Sequence, residues 1–155
     1  MKIYGNRGLG NILKKILQVF VLLGIIFLIA LYWIIRSLNL KFDMVIILLY
    51  PLGILFLYLT YQFIKLFDSL KLKNPFCNAN VKILRNGMIT SFIISFLLLI
   101  ILLLAIFIYN YYSLGIKISL GFLVILFFGV AVALYLLSKL FSQATAYKEE
   151  NDLTI

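Results

Sequence analysis

Between Lys15 and Arg36 the chain runs from Ile16 to Ile35 without a charged residue, and the same thing happens three more times. Residues 44–64 are uncharged between Asp43 and Lys65, residues 86–116 between Arg85 and Lys117, and residues 118–138 between Lys117 and Lys139. The third run is apolar from about Ile89 to about Tyr109. A helix needs about 20 apolar residues to cross a bilayer core of about 30 Å. In lipid the backbone must satisfy its own polar groups, so runs of this length read as helices. The expectation is an all-α integral membrane four-helix bundle, forming one domain over residues 1–155. Its spans fall at about 16–35, 44–64, 89–109 and 118–138, with a short amphipathic loop at 65–88 and a helical C-terminal extension at 139–155.

Composition agrees. Hydrophobic residues make up 65% and charged residues 12%, against about 45–50% and 25% in soluble domains. Such a chain has too little polar surface to cover itself in water. The first run is longer than the apolar stretch of a signal peptide, about 7–15 residues. No small-x-small cleavage site follows "LYWIIRS", so the segment is expected to remain as an anchor.

The cations set the orientation. Lys2, Arg7, Lys14 and Lys15 precede span one; Lys65, Lys71, Lys73, Lys82 and Arg85 lie between spans two and three; Lys139 and Lys148 follow span four. These eleven share one side of the membrane, while Arg36, Lys41 and Lys117 make three on the other. The asymmetry places both termini and the middle loop in the cytoplasm. Tyr32, Trp33, Tyr109, Tyr111 and Tyr112 then fit aromatic anchors at the outer interface. The net charge of +9 borders apolar segments, so anionic lipid headgroups are the expected partner, at about 1 kcal/mol per surface-proximal cation. Direct nucleic-acid binding is not expected.

Little chemistry is available. Histidine is absent and Cys77 is the only cysteine, which removes His-based triads, His-ligated metals and cysteine clusters. No ionisable Asp, Glu, Lys or Arg lies inside a span, where pumps and ion-coupled carriers keep theirs. No catalytic, cofactor-binding or metal-ligating residue is expected, and the chain is not read as an enzyme.

Three features inside the spans carry readings of their own. Pro51, with Gly53 nearby, interrupts span two, either as a hinge or binding niche or as a static kink packed by neighbours; the static kink is expected. Tyr58, Tyr61, Gln62 and Lys65 fall at i, i+3, i+4 and i+7 and make one face of span two polar. That face suits a ligand or partner near the inner leaflet, or an aromatic belt with a bundle hydrogen bond from Gln62, and the second is favoured. Gly129-x-x-x-Ala133, with Gly121 two turns earlier, allows close helix approach. Packing within the chain is expected over a homo-oligomer seam.

The middle loop reads "KLFDSLKLKNPFCNANVKILRNG". Its first part mixes Leu66, Phe67, Leu70 and Leu72 with lysines, which extends span two as an amphipathic turn at headgroup level. Pro75 breaks that helix by disfavouring helical geometry at Asn74. Asn78 or Asn80 can cap a new helix leading into span three. Beyond span four, "SKLFSQATAYKEEN" contains no breaker, so the helix should continue for two to three turns. Ala144 and Tyr147 would pack on the loop, and Glu149, Glu150 and Asp152 could face Lys71, Lys73, Lys82 or Arg85. Exposed pairs of this kind contribute about 0–1 kcal/mol each. The apolar end, Leu153 and Ile155, either folds back or anchors a partner.

The "NPF" and "NVKILRNG" of the loop and the terminal "EENDLTI" together resemble the family called domain of unknown function 2975, small bacterial membrane proteins. The matching positions are Asn74, Pro75, Phe76, Asn80, Leu84 and Arg85 in the loop, and Glu149, Glu150, Asn151, Asp152, Leu153, Thr154 and Ile155 in the tail. The resemblance implies a four-span protein of the bacterial cytoplasmic membrane with no established activity. It also implies frequent encoding beside a Cro/C1-type helix-turn-helix regulator. Two functions follow as expectations: a non-enzymatic membrane sensor or anchor for such a cytosolic regulator, through loop and tail, or a small transport, efflux or self-protection (immunity) subunit.

Overall fold

The computed structural model describes residues 9–37, 44–70, 76–108 and 113–152. Among them every long uncharged run is helical: α1 (Leu9–Ser37), α2 (Met44–Leu70), α3 (Asn78–Phe107) and α4 (Leu114–Asp152). All four are long and apolar enough to cross a membrane. At 1.5 Å per residue the shortest, α2 with 27 residues, extends about 40 Å, more than a bilayer core of about 30 Å. The middle loop is therefore mostly helix: Lys65–Leu70 completes α2 and residues from Asn78 onward open α3. The "NP" break falls between the two helices, with Lys71, Lys73, Asn74 and Pro75 outside the described residues, as are Leu153, Thr154 and Ile155.

Helices adjacent in sequence are adjacent in space, α1 on α2, α2 on α3 and α3 on α4. The centre of the bundle is α3. Its buried positions, Asn80, Ile83, Leu84, Gly87, Thr90, Ser91, Ile94, Ser95, Leu98, Ile101 and Ala105, recur at three and four residues and form one face. The core joins Leu59 of α2, Leu84, Ile94 and Leu98 of α3, and Leu134 of α4. Phe56 of α2 also meets Phe127 of α4 edge to face, with ring centroids 6.2 Å apart.

The small residues that let helices approach lie elsewhere than expected. Gly129 and Ala133 are exposed, and a Cβ on Gly129 would meet nothing within 4 Å. The face of α4 toward α3 runs through Phe127, Ala131, Leu134, Ser138, Phe141 and Thr145. Gly129 lies two residues from Phe127 and so points away at helical spacing. Only Gly121 touches the neighbouring helix, next to Leu102. The close seam belongs to α3, as Gly87-x-x-x-Ser91-x-x-x-Ser95. A Cβ on Gly87 would stand 3.3 Å from Leu134, Ser91 is wholly buried, and Ser95 Oγ donates across the seam to the Val124 carbonyl at 3.0 Å. The buried hydroxyls of Thr60, Thr90 and Thr145 bond back within their own helices, to Phe56 O, Asn86 O and Phe141 O.

Helix α1 sits at the edge. None of its most apolar window is buried, because it leans on α2 alone. The contact interlocks two glycines: Leu28 of α1 lies over Gly53 and Leu57 of α2 lies over Gly24. A Cβ at either position would come within 2.5 or 2.7 Å of the facing leucine. Gly53 is thus a packing notch. Helix α2 runs unbroken through Pro51, which faces outward.

Candidate functional site

Two places collect features that lipid-facing helices alone would not require. The first is the end of the bundle that carries the start of α1, the α2–α3 connection and the end of α4. There Cys77, in extended backbone conformation (φ −142°, ψ 154°), is the N-cap of α3 without a side-chain cap hydrogen bond. Its carbonyl accepts from the Asn80 and Val81 amides at 3.0 and 3.3 Å. The expected asparagine cap is therefore not used. Asn78 instead turns to α4, its Nδ2 donating to Glu149 Oε1 at 3.3 Å, while Asn80 is fully buried.

Phe76 stacks obliquely on Phe141, with centroids 5.3 Å apart. Thr145 is buried beside this contact and Ala144 half-buried, but Tyr147 is 70% exposed. Among the described residues Tyr147 does not pack on the loop, because the inward face of α4 passes through Phe141 and Thr145, the latter two residues away. On the other flank Lys14 of α1 pairs with Asp68 of α2 at 2.5 Å. Lys82 and Arg85 are exposed, as are Glu149, Glu150 and Asn151. The polar face expected on α2 divides: Tyr58, Tyr61 and Lys65 point outward, whereas Gln62 is buried. A hundred-degree step per residue separates Gln62 from Tyr61, and the core claims the Leu59–Gln62–Leu66 side.

The second place is a cavity of about 560 Å³ between α1 and the other three helices. Phe20, Leu23, Phe27, Leu31, Leu52 and Phe127 are among its lining residues, and every wall residue is apolar. The run pattern pointed to helices but gave no sign of this space, which arises because α1 touches only α2. Glycines at 24 and 53 in otherwise bulky runs were the available signal. No group of three or more His, Cys, Asp or Glu side chains that could hold a metal occurs among the described residues.

Four long apolar helices, each packed on the next in sequence, define a multi-pass membrane protein. Its sequence matches, over residues 11–155, the family model described as a protein of unknown function, DUF2975. The chain belongs to that family. No curated protein and no solved structure matches it.

Proposed function

We propose that the protein is a non-enzymatic sensor or anchor of the bacterial cytoplasmic membrane, and that its polar end docks a cytosolic helix-turn-helix regulator. One observation carries this reading. Helix α4 is 39 residues long, about 58 Å, and so exceeds a bilayer core by about 28 Å. The excess is the polar stretch that ends in Glu149, Glu150 and Asn151. It is held against the start of α3 by Phe76, Phe141, Asn78 and Glu149, which gives it a fixed direction and leaves Tyr147 and Leu140 exposed.

The excess of cations at this end supports its placement in the cytoplasm, with both termini. The apolar walls and uncharged spans support a role without acid–base chemistry. The apolar cavity favours a second reading, a carrier or self-protection subunit for a hydrophobic molecule; unchanged sensitivity and uptake in a deletion strain would remove it. For the docking reading, the test is co-purification from solubilised membranes with a Cro/C1-type helix-turn-helix regulator of the same cell. Recovery should fall when residues 148–155 are deleted, and recovery that survives the deletion would sink the role of the tail.

A further inference from the structure

Arg85 precedes the third uncharged run and Lys139 follows the fourth, and both side chains are exposed. Two contacts show which flank of the α3–α4 pair they occupy. At the polar end Asn78 donates to Glu149; nearer the middle the rings of Phe92 and Phe128 meet, with centroids 6.3 Å apart. Arg85 lies midway between Asn78 and Phe92, and Lys139 lies beside the midpoint between Glu149 and Phe128. The antiparallel register therefore sets the two cations opposite one another. Seven residues are two helical turns less about 20°, so Arg85 shares a face with Asn78 and Phe92. Lys139 and Tyr135 likewise fall within about 20° of Phe128 on α4. Lys139 Nζ stands 5.7 Å from the centroid of the Tyr135 ring, which holds the ammonium against this flank.

Among the described residues neither cation has an acidic partner. Asp68 pairs with Lys14 on α1, and Glu149 and Glu150 lie about 15 Å further along α4. Toward the middle of the bundle the same flank is apolar and open: Ile89, Phe92 and Phe96 of α3 and Phe128 of α4 are each between 45% and 57% exposed. The two cations bound the apolar runs and so stand at headgroup level, at the end where α3 begins and α4 finishes. Phe92 lies about 10 Å deeper, within one leaflet of a core about 30 Å thick. Cations above open hydrocarbon complement an anionic phospholipid in both charge and depth. A soluble acidic segment or free phosphate would use the cations and leave the apolar strip bare. A partner's apolar helix would do the reverse.

We propose that Arg85 and Lys139 form a headgroup site for one anionic phospholipid of the leaflet on the side of the termini, its acyl chain lying along Ile89, Phe92 and Phe128. The Arg85 guanidinium offers paired donors to the phosphate oxygens, and Lys139 adds a point charge from the other helix. The site bridges the central helix to α4 at the membrane surface and stands independently of any regulator docking on the extension beyond it.

The test uses the full chain in vesicles, with its single tryptophan moved to the flank by Trp33→Phe and Phe92→Trp. Quenching by phosphatidylglycerol brominated on its acyl chains, diluted into phosphatidylcholine, is compared with quenching by brominated phosphatidylcholine diluted into phosphatidylglycerol. The brominated phosphatidylglycerol should be preferred several-fold. Arg85→Gln and Lys139→Gln should each lower that preference, by up to about fivefold, since one surface cation contributes about 1 kcal/mol. Arg85→Lys should retain part of it. Lys15→Gln removes an exposed cation from α1, which packs on α2 alone, and should leave the preference unchanged. Equal quenching by the two lipids in the unsubstituted background would overturn the proposal, and this arm needs no charge variant. So would a preference that survives the double substitution, one that falls as far in Lys15→Gln, or one abolished by inorganic phosphate at constant ionic strength.

Discussion

Asn78, in the first turn of α3, donates its side-chain amide to Glu149 in the last turns of α4, 71 residues later. The contact joins the middle connection to the C-terminal extension. Its length of 3.3 Å and its exposure mark it as a positioning contact. Asn78→Ala and Glu149→Ala should each change stability in detergent by no more than about 1 kcal/mol. A double-mutant cycle on thermal unfolding should give a coupling of that size or smaller, and a larger value would mean that the extension helps hold the bundle together.

The α3–α4 seam should be the most sensitive part of the fold. Ser95→Ala removes the interhelical bond to the Val124 carbonyl and should cost about 0.6–2 kcal/mol. Ser91→Leu places a branched side chain where the native residue is wholly buried, and should cost more, in the overpacking range of about 1–3 kcal/mol or above. Gly129→Leu, on the open face of α4, should leave the melting temperature unchanged or slightly raised, because glycine is a poor helix former. Unfolding of purified variants in one detergent measures all three.

Burial should separate two isoleucines of the same size. Ile94 is 1% exposed and Ile125 73%. Lipid is as apolar as a protein core, so truncation loses packing and little transfer energy. Ile94→Ala should therefore destabilise by about 2 kcal/mol, toward the low end of values for soluble cores. Ile125→Ala should be close to neutral, as read by the same unfolding measurement.

The glycine notches should control how α1 sits. Gly53→Val brings branched carbons onto Leu28, whose Cδ2 would already lie 2.5 Å from a single added Cβ. Disulfide trapping between cysteines placed on α1 and α2 should weaken in Gly53→Val and recover when Leu28→Ala is added. Recovery follows because the clash involves the far end of one flexible side chain.

Much of this fold was legible because charge placement marks the ends of membrane helices with little ambiguity. The four uncharged runs and the unbroken "SKLFSQATAYKEEN" foretold four helices and the long α4. Facing was harder. Gly129 and Ala133 carry a familiar spacing yet look outward, while Gly87, Ser91 and Ser95 carry the same spacing and form the seam. In lipid both faces of α4 are apolar, so periodicity cannot say which one packs. The α3 seam announces itself only by buried hydroxyls, which lipid disfavours. For the polar end, Asn78, Phe76 and Phe141 meet because α3 and α4 are antiparallel neighbours, a fact no local pattern contains. The lone acid of the basic loop, Asp68, was a hint toward its pairing with Lys14.

The central claim is that the polar end of the bundle faces the cytoplasm and docks the regulator. A photo-crosslinking amino acid at Tyr147, tested in living cells that co-express a Cro/C1-type helix-turn-helix regulator as the proposed partner, addresses both parts at once. The account predicts a crosslink to that protein from Tyr147 and none from Phe107, at the opposite end of α3 and 79% exposed. A crosslink from Phe107 instead, or none from Tyr147 with the full-length protein in the membrane, would contradict it.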